Sequence, residues 1–183
     1  FGTGTHETTR LVIKLLEKYI KSGMRVADVG CGSGILGICA SMLGAEFVTA
    51  VDIDENSARI ANENFGENKI NPEKYKVLAG NILNDQSFYD KVCATKYDLI
   101  AANIVADVII SLAPVLANLL KPVVVPIYGF LGADPAMFAG TILASDMGGG
   151  PLAAEMAGSE EAALLGGVIT GSMNYFVEGV KEA

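Results

Sequence analysis

Four short apolar runs, each followed by a segment with helical spacing, constrain this chain more than any other feature. They are MRVADV, FVTAVDI, KYKVLAG and YDLIAAN. Each has the length of a strand and is mostly apolar, as in a strand buried on both faces. After the first, GILGICASMLG reads as a helix closed by Gly44. After the second, ENSARIANENF reads as a helix capped by Asp54. Ahead of them, Val12, Leu15, Leu16, Tyr19 and Ile20 share one helix face, and Gly23 follows as a stop. Strand and helix in alternation predict an α/β fold whose parallel sheet is covered on both faces.

In such sheets ligands sit at the carboxyl ends of the strands. The first strand ends in DVGCGSG, with Asp28, Gly30, Gly32 and Gly34, and runs directly into a helix. A glycine-rich turn there lets backbone N–H groups approach a ligand that a β-carbon would exclude. Such stretches are also common as plain tight turns. The spacing is G-x-G-x-G, and Ile35 stands where a dinucleotide fingerprint would place its third glycine. The second strand ends in Asp52, where a carboxylate can take both hydroxyls of a ribose. Nucleoside binding without a diphosphate fingerprint is the expectation. Asp54 is expected to cap the following helix rather than to touch ligand.

The chain has 183 residues, enough for one globular domain with its own core. A net charge of −8 argues against a nucleic-acid partner, whose phosphates need clustered lysine and arginine. A basic protein or a cationic small molecule suits that field better. Cys31, Cys39 and Cys93 form no CxxC pair and point to the reducing cytoplasm; Cys31 and Cys39 are read as packing residues. After Pro122 the only basic residue is Lys181, while 11 of the 21 glycines lie beyond it. That shift sets an expected boundary between a ligand-binding domain, 1–121, and a glycine-rich apolar tail, 122–183.

The opening FGTGTHETT resembles the FGTGTHPTT loop of the ribosomal protein L11 methyltransferases. VADVGCGSGILGICASMLGA, VDIDENSARIANENF and YDLIAANIVADVI follow the same family in order. The resemblance implies a Rossmann-like sheet that binds S-adenosyl-L-methionine and methylates an amino group of ribosomal protein L11. By position it implies that Thr3, Thr5 and His6 contact the cofactor. Gly30, Gly32 and Gly34 would meet its methionine end, Asp52 its ribose and Asn81 its adenine edge. Read from the residues alone, His6 is a solvated loop histidine and Asn81 a turn residue after Gly80. Glu7 departs from the family's proline and is expected to loosen the loop. The family further implies a substrate-recognition domain ahead of the loop.

Asn103 ends the fourth strand in AANIVAD and is the expected catalytic residue. Methyl transfer from a sulfonium is an in-line displacement by a neutral amine, so positioning does most of the work. An asparagine carbonyl can hold an amine N–H and aim its lone pair without acting as a strong base. The plainer reading is that Asn103 caps the helix beginning near Ala106.

From about Leu112, LAPVLANLLKPVVVPIYGFLGADPAMFAGTILASDMGGGPLAAEMAG resembles an internal piece of the ethanolamine permease family, a multi-span membrane protein. A fusion is therefore expected, with VVVPIYGF supplying a fifth strand. Residues 108–133 would be long enough to span a bilayer, but Lys121, Pro114, Pro122 and Pro126 interrupt them, and insertion is not expected. Two function classes stand: a protein amino-group methyltransferase, and a non-catalytic fragment, either a cofactor-binding remnant or a piece of a membrane transporter.

Overall fold

The computed structural model describes residues 7–131, which form two compact units divided after Ile104. The first contains α1 (Glu7–Tyr19), β1 (Arg25–Val29), α2 (Ile35–Met42), β2 (Phe47–Asp52), α3 (Glu55–Glu67), β3 (Tyr75–Ala79), α4 (Gln86–Cys93) and β4 (Leu99–Ala102). All four strands pair in parallel, in the order β3-β2-β1-β4. The first four expected strands and the parallel sheet are present.

That order places β1 at the point where the chain reverses direction across the sheet. β2 and β3 step away on one side, and β4 returns to the other. Right-handed crossovers therefore put α2 and α3 on one face and α4 on the opposite one. On the α2/α3 face, Val26, Val48, Ala50, Ala61 and Phe65 are fully buried. Phe65 stacks on Tyr75 with ring centroids 4.3 Å apart. Burying Val26, Val48 and Phe65 contributes about 1.5 to 3 kcal/mol each, so this layer carries much of the unit's stability. Asp54 caps α3 as expected, its carboxylate accepting from the backbone N–H groups of Asn56 and Ser57.

The buried face of α1 is rotated from the expected one. Leu16 is buried with Leu36 and Ala101, and Val12, Ile13 and Ile20 pack around it. Leu15 and Tyr19 are exposed and align with Leu11 at four-residue spacing on another face. Apolar residues occupy more than half of this helix's circumference, so periodicity alone cannot choose which stripe faces the sheet.

The second unit contributes α5 (Ala106–Leu131), a helix of 26 residues. It corrects the expected fifth strand, because VVVPIYGF continues the helix. It also runs through Lys121 and Pro122, the expected domain boundary. Pro114, Pro122 and Pro126 all lie within it and are all exposed. Their spacing keeps them on one side of the helix, where carbonyls deprived of an N–H partner can tilt toward water. Asp107–Ile127 is long and apolar enough to cross a bilayer, with a mean hydropathy of 2.1, and 44% of its most apolar window is buried within the protein. The core helix of a soluble protein has the same properties.

Candidate functional site

The turn after β1 is made by three glycines, all with positive φ: Gly30 at 72°, Gly32 at 53° and Gly34 at 80°. Each is glycine for a different reason. A β-carbon on Gly30 would collide with Cγ2 of Ile104, which follows Asn103. One on Gly34 would press on Ala61 at 3.1 Å and Phe65 at 3.3 Å. A β-carbon on Gly32 would meet nothing within 4 Å. Of the three, Gly32 alone leaves open space, and there an approaching ligand would find bare backbone.

The turn is tied to the neighbouring strand ends. The N–H groups of Gly30 and Cys31 both donate to the Val51 carbonyl, at 2.9 and 3.0 Å. Gly32 N–H donates to Asp52 Oδ2 at 2.8 Å, while Asp52 Oδ1 accepts from Asp54 N–H at 3.0 Å. Both carboxylate oxygens of Asp52 keep a free lone pair. Gly80 N–H donates to the Asp52 carbonyl at 2.9 Å, bringing the end of β3 alongside. There Asn81 Oδ1 accepts from Leu83 N–H at 3.0 Å and Asn84 N–H at 3.2 Å, closing a local turn.

Asp28 lies beneath the turn, only 1% exposed. Its Oδ2 accepts from Gly37 N–H at 2.8 Å, serving the first turn of α2, whose N-cap Gly34 has no side chain to do so. Its Oδ1 has no hydrogen-bond partner among the described residues. Burial pushes this carboxyl up from the ordinary 3.8 to about 7, the Gly37 hydrogen bond opposes that, and the nearby Asp52 charge adds to it. Burial likewise holds the Cys31 thiol far above the usual range, so this cysteine in the turn is no nucleophile.

On the other side of β1, Asn103 follows β4. Its Nδ2 donates to Thr9 Oγ1 at 3.1 Å, and Thr9, on α1, is 6% exposed. A hydrogen bond through Nδ2 fixes the amide plane and leaves Oδ1 as an acceptor. Gly30, Gly32, Asp52, Asn81 and Asn103 thus all lie at carboxyl ends of strands, on both sides of the reversal at β1. Among the described residues no group of histidines, cysteines or carboxylates is placed to hold a metal.

The family model of the ribosomal protein L11 methyltransferase (PrmA) matches residues 1–130. The chain belongs to this family. The ribosomal protein L11 methyltransferase of Lachnospira eligens is 47% identical over 109 residues, 60% of this chain and 34% of that one. That of Acetivibrio thermocellus is 50% identical over 113 residues, 62% of this chain and 33% of that one. The chain therefore spans about a third of the length of the curated relatives it matches. The crystal structure of ribosomal protein L11 methylase from Lactobacillus delbrueckii subsp. bulgaricus is 36% identical with a TM-score of 0.52, covering 65% of this chain and 57% of that one. The structure of SMU.776 complexed with SAH shares the Rossmann-like fold, with a TM-score of 0.52 at 20% identity over 64% of this chain and 34% of that one. A second model, Ethanolamine utilisation protein, EutH, matches residues 98–175 and overlaps the first across β4 and nearly all of α5.

Of the residues predicted from the methyltransferase resemblance, Thr3, Thr5 and His6 lie outside the described residues. Thr9 belongs to the same FGTGTHETT stretch but was not among the sequence candidates. Its contact with Asn103 spans 94 residues, and the loop motif was the available signal. An open hollow of about 550 Å³, lined in part by Ser22, Glu46, Lys69 and Lys74, lies at the amino ends of the strands. It contains neither the glycine turn nor a strand-end carboxylate. In an α/β sheet the carboxyl ends are the better site.

Proposed function

We propose that this chain carries the catalytic site of an S-adenosyl-L-methionine-dependent methyltransferase acting on amino groups of ribosomal protein L11. The observation that carries the reading is the Asn103 to Thr9 hydrogen bond. It holds a side-chain carbonyl in a fixed direction at a strand end, beside the glycine turn. The residues present suit the cofactor. Gly32 offers open backbone, Asp52 keeps two acceptor lone pairs for ribose hydroxyls, and Asp28 Oδ1 lacks a donor that a ligand at the turn could supply.

When bound, S-adenosyl-L-methionine supplies an electrophilic methyl group. The chain's own part is positional. Asn103 Oδ1 accepts an N–H of the neutral acceptor amine and so directs its lone pair, and Thr9 prevents the amide from turning. Asn81, whose carbonyl closes its own turn, keeps its Nδ2 for an adenine edge next to Asp52. Thr3, Thr5 and His6 belong to the same proposal by resemblance. The free thiols and the bacterial relatives suit a cytoplasmic enzyme.

The test is calorimetry with the demethylated cofactor, followed by transfer of labelled methyl groups to L11. Micromolar binding with transfer that disappears in Asn103→Ala is expected. Binding without any transfer would leave the chain a cofactor-binding remnant. The second reading, a piece of a membrane transporter, is favoured by the EutH match and by the length and apolarity of α5. A chain that stays in solution without detergent and melts higher with S-adenosyl-L-methionine would exclude it.

A further inference from the structure

The two halves of the candidate site are anchored to different elements. The glycine turn is tied to β2, because Gly30 and Cys31 donate to the Val51 carbonyl and Gly32 donates to the Asp52 carboxylate. Asn103, after β4, is tied to α1 through Thr9. Neither anchor sets how far the turn stands from the asparagine. The register of β1 and β4 ends with Val29 opposite Ala102, one residue short of Gly30 and Asn103. Past that pair Gly30 turns its N–H to β2, and the chain after Asn103 bends at Ile104.

The side chain of Ile104 closes this gap. Its Cγ2 methyl occupies the place that a β-carbon of Gly30 would take, and its Cβ and Cδ1 lie 3.8 and 3.9 Å from the same point. With φ at 72°, Gly30 holds the bare side of its α-carbon against Ile104, and the half-buried isoleucine fills the slot. A β-branched side chain is stiff at χ1, so Cγ2 cannot leave without rotating the whole side chain. Its position is thus fixed by the same backbone that carries Asn103.

We propose that Ile104 is a positioning residue for methyl transfer: its Cγ2 methyl, seated on Gly30, sets the spacing between the cofactor turn and the Asn103 carbonyl. The inference rests on the methyltransferase reading above. In-line displacement needs the attacking nitrogen about 3 to 3.5 Å from the methyl carbon, and a misplacement of about 1 Å can cost a hundredfold in rate. Thr9 gives the amide its direction, and Ile104 gives it its distance from the turn. The turn keeps its bonds to Val51 and Asp52 whatever stands at position 104, so cofactor affinity does not depend on this side chain. The shape of the side chain matters more than its volume. Ile104→Val keeps the Cγ2 methyl and loses only Cδ1. Ile104→Leu keeps every carbon but branches one position further out, and has no Cγ2.

The experiment is steady-state transfer of labelled methyl groups to L11 by the full chain, with calorimetry of the demethylated cofactor, at a temperature where circular dichroism shows every variant folded. Ile104→Val should stay within about twofold of wild type in kcat, while Ile104→Leu and Ile104→Ala fall by about tenfold or more. KM for L11 and Kd for the demethylated cofactor should stay within about twofold throughout, as for a loss felt only in the transition state. A residue that merely packs would leave every folded variant at the wild-type rate. Ile104→Leu as fast as Ile104→Val, or cofactor affinity falling in step with the rate, overturns the inference and leaves the methyltransferase reading standing. No transfer by wild type overturns both. A second measurement is independent of turnover: Gly30→Ala combined with Ile104→Ala should unfold at a higher urea concentration than Gly30→Ala alone, because the added methyl takes the place of Cγ2. A double variant no more stable than Gly30→Ala would mean that Cγ2 is not seated on Gly30, and that also overturns the inference.

Discussion

Asn103 and Thr9, 94 residues apart in sequence, are joined by a 3.1 Å hydrogen bond in which the asparagine amide donates to the threonine hydroxyl. The bond links the start of α1 to the end of β4 and gives the asparagine carbonyl one orientation. A residue free to rotate could hold an amine in many poses, only a few of them productive.

Removing either partner should therefore act on the rate. Asn103→Ala is expected to lower methyl transfer to L11 by about a hundredfold or more while changing affinity for the demethylated cofactor only slightly. Thr9→Val should cost about tenfold in kcat, and Thr9→Ser should restore it. Single-turnover transfer from labelled cofactor measures both. Wild-type rates in Asn103→Ala would reduce the residue to a structural role.

Asp52 holds the glycine turn as well as being placed for a ribose. Asp52→Ala loses acceptors for the N–H groups of Gly32 and Asp54. Affinity for the demethylated cofactor should fall by about 1.5 to 3 kcal/mol, with Asp52→Asn intermediate. Calorimetry decides it, and unchanged affinity would remove Asp52 from the site.

The glycines should separate stability from binding. In Gly30→Ala the methyl group is driven into Ile104 and the left-handed backbone is strained, so a loss of about 2 to 4 kcal/mol in unfolding free energy is expected. Gly32→Ala meets no neighbour and should cost only about 1 to 2 kcal/mol from its φ, yet weaken cofactor binding more than that loss implies. Urea titration with and without the demethylated cofactor measures both quantities.

Asp28 should give the fold an unusual pH dependence. Its carboxyl ionises near 3.8 when unfolded and near 7 when folded, so between those values the folded chain binds the extra proton. Stability then falls as pH rises from about 4 to 7 and levels off above, by as much as about 4 kcal/mol in total. Asp28→Asn should flatten this slope. Chemical denaturation from pH 4 to 8, wild type against variant, reads it directly. Parallel curves would mean that Asp28 is ionised throughout.

Much of the fold was legible because its signals are local. Apolar run lengths marked the four strands, Asp54 announced the α3 cap, and the glycine spacing placed the turn. Three features escaped because they depend on distant partners. The apolar residues of α1 offer more than one stripe, and only the sheet selects Leu16. Gly30 looks like a ligand cradle in sequence, but its missing β-carbon is occupied by Ile104. Pro114, Pro122 and Pro126 interrupt the apolar stretch in sequence, and VVVPIYGF reads as a strand, yet the placement of the prolines on one exposed side lets α5 run past all three.

Outside the strand ladders, Val51 and Asp52 receive five backbone N–H groups between them, from Gly30, Cys31, Gly32, Asp54 and Gly80. The ends of β1 and β3 are therefore braced against two consecutive residues of β2 before any ligand arrives. A ligand settling there finds segments whose conformational freedom was lost during folding, so little ordering entropy remains to oppose it. Its binding heat should come mainly from direct contacts and its heat-capacity change from ligand burial alone, the signature of a rigid receptor rather than of folding on contact.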